Sequence, residues 1–294
     1  MKTILRDGRG RLRNGWWLLV FIALFLASQL AYHPVSRALQ HVGATRAWLA
    51  PLPVLFLLLV TGICLRLRRQ PLSAVGLRLD AAWWRQALAG LAFGGVQMLL
   101  VAALVALAGG VRFAFDPARS FAALAMGAWM FLWIAMLEEL LFRGFVLQRL
   151  MDGIGAWPAL LAMSVLFALA HWGNPGMQGA TLAWATLDTA LAAILLGLAY
   201  LRTRSLALPI GMHFGWNWMQ GSVLGFDVSG LDQAGWLQPH LLSVPQWLGG
   251  GAFGPEASVF AVVVDMAAIA LLWRWKGATG AALPVVDDAP PAMP

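Results

Sequence analysis

Residues 122–150 read AALAMGAWMFLWIAMLEELLFRGFVLQRL. As a helix this stretch is long enough to cross the roughly 30 Å hydrocarbon core of a bilayer. The rest of the chain is similarly apolar, because 61% of its 294 residues are hydrophobic and only 11% are charged. Soluble domains carry about 25% charged residues, so the composition excludes a soluble enzyme, a disordered chain and a disulfide-stapled secreted domain. The apolar residues form unbroken runs rather than alternating, which excludes an outer-membrane barrel.

The apolar runs predict an all-α fold, a polytopic membrane helix bundle of about eight transmembrane helices with a buried intramembrane site. We expect one bundle over residues 16–276, preceded by a basic cytoplasmic segment at 1–15. The tail at 277–294 has no helical pattern and is predicted to be disordered. The eight runs are residues 16–34, 48–66, 87–109, 122–150, 156–172, 181–201, 206–223 and 257–275.

The lysines and arginines are distributed unevenly between the loops. If the N-terminus is cytoplasmic, fifteen of the 20 lie on the cytoplasmic side and four on the opposite side. This bias predicts that both termini are cytoplasmic, in the inner membrane if the host is bacterial. The net charge of +7 therefore reflects the orientation of the helices in the membrane and does not indicate binding to nucleic acid. The expected partners are membrane lipids and a membrane-tethered protein or peptide substrate.

A charged cluster interrupts the apolar run at 122–150. Ionisable residues inside a span are energetically expensive and are functional candidates by default. Glu139 and Arg143 are four residues apart with the acid first, which is the favourable order for an ion pair on one helical face. Glu138 is rotated by about 100° from Glu139 and has no such partner on its own helix. We therefore expect Glu139 to neutralise Arg143 and Glu138 to be available for chemistry. The alternative is a solvated helix end with ordinary charges.

His171, near the end of the fifth run, is the second candidate. A lone histidine at a helix end is usually an interfacial residue. However, the turn predicted at 152–155 lies about 15 residues after Glu138 and about 17 before His171, so both lie about 23–26 Å above it at 1.5 Å per residue. In an antiparallel hairpin the two side chains would lie at matching depth, as an acid/base pair requires.

The seventh run supplies a third polar pair. His213 and Asn217 are four residues apart and share one helical face. Gly211 and Gly215 form a G-x-x-x-G pattern, which permits close approach of another helix. The alternative interpretation is a packing helix whose polar groups form hydrogen bonds across the bundle.

Three motifs thus follow one another on separate helices. Together they resemble the CAAX protease and bacteriocin-processing family of intramembrane proteases, which includes the type II CAAX prenyl endopeptidases. The resemblance covers roughly residues 120–222, and GGGAFGPE at 249–256 resembles a loop of many bacterial members. The motifs are EExxxR from Glu138 to Arg143, FxxxH from Phe167 to His171, and HxxxN from His213 to Asn217.

The resemblance implies a buried peptidase site within a bundle of eight transmembrane helices. The implied roles are Glu138 as general base, His171 as its helper in activating water, His213 and Asn217 as oxyanion donors, and Glu139 with Arg143 as a structural ion pair.

The same residues leave the question of a metal open. Glu138, His171 and His213 could supply a His₂Glu set for a catalytic zinc with an open water position, although the chain has no H-E-x-x-H motif. If Glu138 bound the metal, another group would have to act as the base. We favour a mechanism that requires no cofactor, in which Glu138 deprotonates water directly, with zinc as the alternative.

These observations favour an intramembrane endopeptidase that hydrolyses membrane-associated or hydrophobic peptides. One alternative is a non-catalytic membrane scaffold or bacteriocin self-immunity protein on the same fold. Another is a transporter or proton-coupled channel, which intramembrane acids such as Asp188 and Asp265 would suit. Clustering of the polar groups on three helices favours a reaction site. The sequence assigns no role to Asp188 or Asp265.

Overall fold

The computed structural model describes residues 2–6, 8, 10–118 and 120–277, and the chain is mostly helical, at 73%. The tail predicted to be disordered lies outside the described residues from 278 onward, as do Arg9 and Arg119 of the charge count. The helices are α1 (Lys2–Leu5), α2 (Asn14–His41), α3 (Arg46–Leu49), α4 (Leu52–Leu67), α5 (Ala81–Leu107), α6 (Phe121–Arg143), α7 (Phe145–Ile154), α8 (Ala156–Ala170), α9 (Gly179–Thr203), α10 (Ala207–Trp218), α11 (Gln246–Gly249) and α12 (Val259–Arg274).

Each of the eight predicted apolar runs coincides with helical structure. Five segments of the described chain are long and apolar enough to cross a membrane: Asn14–His41, Arg46–Leu67, Ala81–Leu107, Phe121–Ile154 and Gly179–Thr203. Helix α8 is apolar but shorter, and α10 and α12 have 12 and 16 residues. Five segments are therefore candidate membrane-spanning helices by their length and composition, and the total of eight stays a prediction.

Two details of the predicted hairpin are wrong. The run at 122–150 forms two helices rather than one, because the backbone breaks at Gly144, where ψ is −124°. A Cβ atom at this position would collide with the carbonyl oxygen of Leu140, so the break requires glycine. The turn predicted at 152–155 is helical as far as Ile154, and Gly155 alone, at a φ of 89°, connects α7 to α8.

A small antiparallel sheet departs from the all-α prediction. Strand β1 (Val111–Phe115) follows α5, and strand β2 (Leu237–Leu241) lies in the long segment between α10 and α12. Val111 pairs with Leu241 and Phe115 with Leu237. Main-chain hydrogen bonding between strands is not readable from helical periodicity, and these strands are short. The pairing places the connections that follow α5 and α10 at the same end of the bundle.

Glycines allow α5 and α10 to approach backbone to backbone. A Cβ atom on Gly211 would collide with the carbonyl oxygen of Ala87, and one on Gly94 would collide with that of Met212. Lipid tails are as apolar as the helices, so packing of small residues drives association where the hydrophobic effect cannot. The predicted role of the Gly211/Gly215 pattern is confirmed, and α5 provides the partner surface.

We predict that topology reporters fused at residues 115 and 230 will report the same side of the membrane, and one at residue 70 the opposite side. The charge bias places 70 in the cytoplasm and 115 and 230 outside it, and the β1–β2 pairing independently joins the connections that contain 115 and 230. Compartment-specific fusion activity measures this outcome. Opposite signals at 115 and 230 would be incompatible with both the eight-helix topology and the sheet.

We also predict that Gly94→Ala lowers the melting temperature of the purified protein, with a loss of about 2 kcal/mol or more, because its methyl group overlaps the α10 backbone. Gly95→Ala is the matched control on the same helix, since its Cβ would make only ordinary van der Waals contacts, with the end of Met219 at 3.6 Å and the carbonyl oxygen of Gly215 at 3.8 Å. Thermal unfolding in detergent compares the two variants. Equal melting temperatures would show that the glycine contact does not hold α5 against α10.

Candidate active site

Glu139 connects two helices through its carboxylate. Its Oε1 atom accepts a hydrogen bond from Arg143 Nη1 at 2.9 Å and another from His213 Nδ1, also at 2.9 Å. The side chains of Glu139 and Arg143 are 0% and 2% exposed. The ion pair expected from the four-residue spacing is therefore present and buried. The bond to His213 was not expected, and it attaches α10 to α6.

Arg143 is held by more than its ion pair. Its Nη2 atom donates to the carbonyl oxygen of Ala193 on α9 at 3.2 Å. Its guanidinium carbon lies 4.8 Å from the ring centre of Phe167, an arrangement that favours a cation–π interaction. The Phe167 ring also contacts His171, with ring centres 4.7 Å apart. The FxxxH phenylalanine thus separates the buried guanidinium from the histidine.

Glu138 lies beside His213 rather than beside His171. Its Oε2 atom is 3.8 Å from His213 Nε2, and its side chain is 26% exposed, against 0% for Glu139. No hydrogen bond or ion pair joins Glu138 to His171 in the described part of the chain. The depth count assumed one straight helix from Glu138 to the turn, and the break at Gly144 invalidates that assumption.

Hydrogen bonds define the proton positions on both histidines. His171 Nδ1 lies 2.8 Å from the carbonyl oxygen of Phe167, which can only accept, so Nδ1 carries the proton. His213 Nδ1 donates in the same way to the carboxylate of Glu139. The Nε2 atom of each ring is consequently left available for other partners.

A cavity of about 560 Å³, part of it open to solvent, brings the candidate residues together. His171, His213 and Asn217 all line it, from the end of α8 and from α10. Glu138 is not one of its lining residues and meets it through His213. Residues of two motif-bearing helices thus line the cavity, while Glu138 of the third lies beside His213.

The same cavity contains polar residues that the sequence did not place there. Asp188 and Asp265, flagged as intramembrane acids, line it together with Gln97 of α5, and Ser229 and Glu256 from the segment before α12. Glu256 accepts the backbone N–H of Ser229 at 2.6 Å. Burial raises the pKa of Glu256, an effect that this hydrogen bond partly offsets. In the sequence, the only indication of a role for Glu256 was its position in the GGGAFGPE stretch at 249–256.

The candidate zinc ligands do not form a metal site. Within the described residues, no group of three or more His, Cys, Asp or Glu side chains is arranged to hold a metal ion. A catalytic zinc requires three protein ligands at about 2.0–2.2 Å. Glu138, His171 and His213 therefore do not fit that set.

Comparison with known proteins shows that the motif-bearing segment is similar to a family of endopeptidases. Residues 120–219 match the family model described as "Type II CAAX prenyl endopeptidase Rce1-like". The match extends from α6 to the end of α10 and confirms the resemblance drawn from the three motifs. No curated protein and no solved structure matches the chain. Together with five helices that could cross a membrane, the match indicates an integral membrane protein with a segment similar to CAAX proteases.

Proposed function

We propose that this protein is an intramembrane endopeptidase that hydrolyses peptide bonds of membrane-associated or hydrophobic peptides by glutamate-activated attack of water. The observation that carries this proposal is the convergence on one cavity of His171, His213 and Asn217, with Glu138 beside His213. A scaffold or immunity protein has no requirement for a partly exposed carboxylate facing an imidazole inside the membrane.

Glu138 is the general base in this mechanism. It removes a proton from water as the oxygen attacks the scissile carbonyl carbon, and later gives that proton to the leaving amine. His171 assists in activating water, because the lone pair on its Nε2 atom is available to accept a hydrogen bond. The Glu138 side chain is partly exposed, whereas that of Glu139 is fully buried. The Glu138 Oε2 atom has no hydrogen-bond partner and can therefore accept a hydrogen bond from the attacking water.

His213 and Asn217 stabilise the oxyanion that forms on the carbonyl oxygen. Asn217 can donate from its amide. Because Nδ1 of His213 donates to Glu139, Nε2 can donate to the oxyanion only when the ring carries both protons. Glu139 is therefore a positioning residue that fixes the ring orientation, and Glu138 and Glu139 supply the negative charges beside the imidazolium.

We propose that the reaction uses no metal. Glu138 cannot be both a ligand and the base, and the three candidate ligands are not arranged around a common point. The expected outcome is that chelator-treated protein keeps its activity.

Both termini are proposed to be cytoplasmic, and the natural partners are membrane lipids and a membrane-tethered substrate.

The adjacent glutamates provide the main test. We predict that Glu138→Gln abolishes single-turnover cleavage in detergent while leaving the melting temperature nearly unchanged. Glu139→Gln is the matched control, and it should destabilise the protein by about 3–5 kcal/mol, because the buried Arg143 loses its charged partner. Substrates can be found by proteomics of membrane peptides released by wild type but not by Glu138→Gln. Cleavage by Glu138→Gln at the wild-type rate would refute the proposed function.

Asn217 distinguishes the metal-free mechanism from a zinc mechanism. We predict that Asn217→Ala lowers kcat by about 10²–10³-fold with little change in KM, because its amide donates only in the transition state. Steady-state kinetics with and without added zinc measure the effect. Recovery of Asn217→Ala activity by zinc, with one zinc per chain in the wild type, would instead support a metal mechanism for the same peptidase.

A further inference from the structure

The cavity beside His171 and His213 has a second, acidic wall. Asp188 of α9, Asp265 of α12 and Glu256 line it, and they are 3%, 1% and 6% exposed. All three line the same cavity, so a negative charge on one acts on the others. None of the described residues that line the cavity is a lysine or an arginine. Three carboxyl groups therefore share one cavity, and the only basic side chains among its described lining residues are the imidazoles of His171 and His213.

Hydrogen bonding within this wall is incomplete. Asp265 Oδ1 accepts from Gln97 Nε2 at 3.4 Å, but its buried Oδ2 atom has no hydrogen-bond partner. Asp188 Oδ1 is likewise buried and unpartnered. Glu256 is better satisfied, because it accepts the N–H of Ser229. Two nearly buried carboxyl groups thus present unpaired acceptor atoms in a cavity that also holds the proposed reacting groups.

An unpaired buried carboxylate costs several kcal/mol, so such a group is stabilised by a proton or by a cation. The described residues offer no arrangement that could hold a metal ion, and hard cations such as Ca²⁺ require six to eight oxygen ligands at 2.3–2.6 Å. A protonated amine or a guanidinium is less demanding. It donates three to five hydrogen bonds at about 2.7–2.9 Å, which suits a few carboxylates spaced around a wide cavity.

We propose that Asp188, Asp265 and Glu256 form a subsite that binds a protonated amine or guanidinium group of the substrate. This inference rests on the proposed peptidase function and makes it more specific. The bound peptide would carry a lysine, an arginine or a free N-terminus close to the bond that is cleaved. Asp188 and Asp265 contribute the unpaired acceptors, and the N–H of Ser229 holds Glu256 in the wall.

Binding can be tested on the full-length protein in detergent at pH 7, with n-hexylammonium as the probe and n-hexanol as its neutral match. Isothermal titration should show hexylammonium binding at least about tenfold tighter than hexanol. Asp188→Asn should reduce hexylammonium affinity by at least about tenfold. Asp232→Asn, which changes an exposed acid in the loop between α10 and β2, is the matched control and should bind like wild type.

The wild-type comparison does not depend on any variant folding. Equal affinity for hexylammonium and hexanol would overturn the proposal, as would displacement of hexylammonium by an equal concentration of CaCl₂, which would indicate a site for inorganic cations. Hexylammonium binding to Glu138→Gln separates the subsite from the endopeptidase function, because this variant should lose cleavage but keep binding of the amine. If hexylammonium binds but wild type cleaves nothing, the endopeptidase function fails and the subsite stands. If wild type cleaves peptides containing lysine and norleucine equally well and hexylammonium does not bind, the subsite fails and the function stands.

Discussion

A single carboxylate oxygen organises the polar interior of this protein. Glu139 Oε1 accepts from Arg143 on its own helix and from His213 on α10, with no exposure to solvent. Leaving any one of these three groups unpaired in the interior would be costly, so each constrains the other two. Arg143 extends the connection to α9 through the carbonyl of Ala193 and to α8 through the ring of Phe167. Four helices are thereby held in register around one buried charge pair.

Division of labour between adjacent glutamates follows from helical geometry. A rotation of about 100° per residue places Glu139 toward the bundle interior and Glu138 at a partly exposed position. The first is fully buried and its bonded oxygen has two donors, and the second is partly exposed and 3.8 Å from a histidine. Glu139 therefore has a structural role and Glu138 the proposed catalytic role, and the difference in exposure of the two side chains separates these roles.

Interactions within one helix were predictable from the sequence, and those between helices mostly were not. The Glu139–Arg143 pair and the glycine pattern of α10 depend on spacing alone, and both are present. The proximity of Glu138 and His213 depends on the break at Gly144 and on how α10 packs against α6, neither of which a hydropathy pattern reports. Asp188 and Asp265 were recognisable as costly groups, but their meeting in one cavity depends on the packing of α9 against α12. Glu256 lies in a loop, where periodicity carries no information.

The link between α5 and α10 has a mechanical consequence. Their backbones are in direct contact at the glycines, and just beyond their ends β1 pairs with β2. Because α5 and α10 contact each other along their length and are joined again by the sheet at one end, we expect them to move as one rigid unit. Any motion of the bundle that admits a peptide is then expected in helices other than α5 and α10. His213 and Asn217 lie on α10, so we expect their positions to stay fixed while the substrate enters.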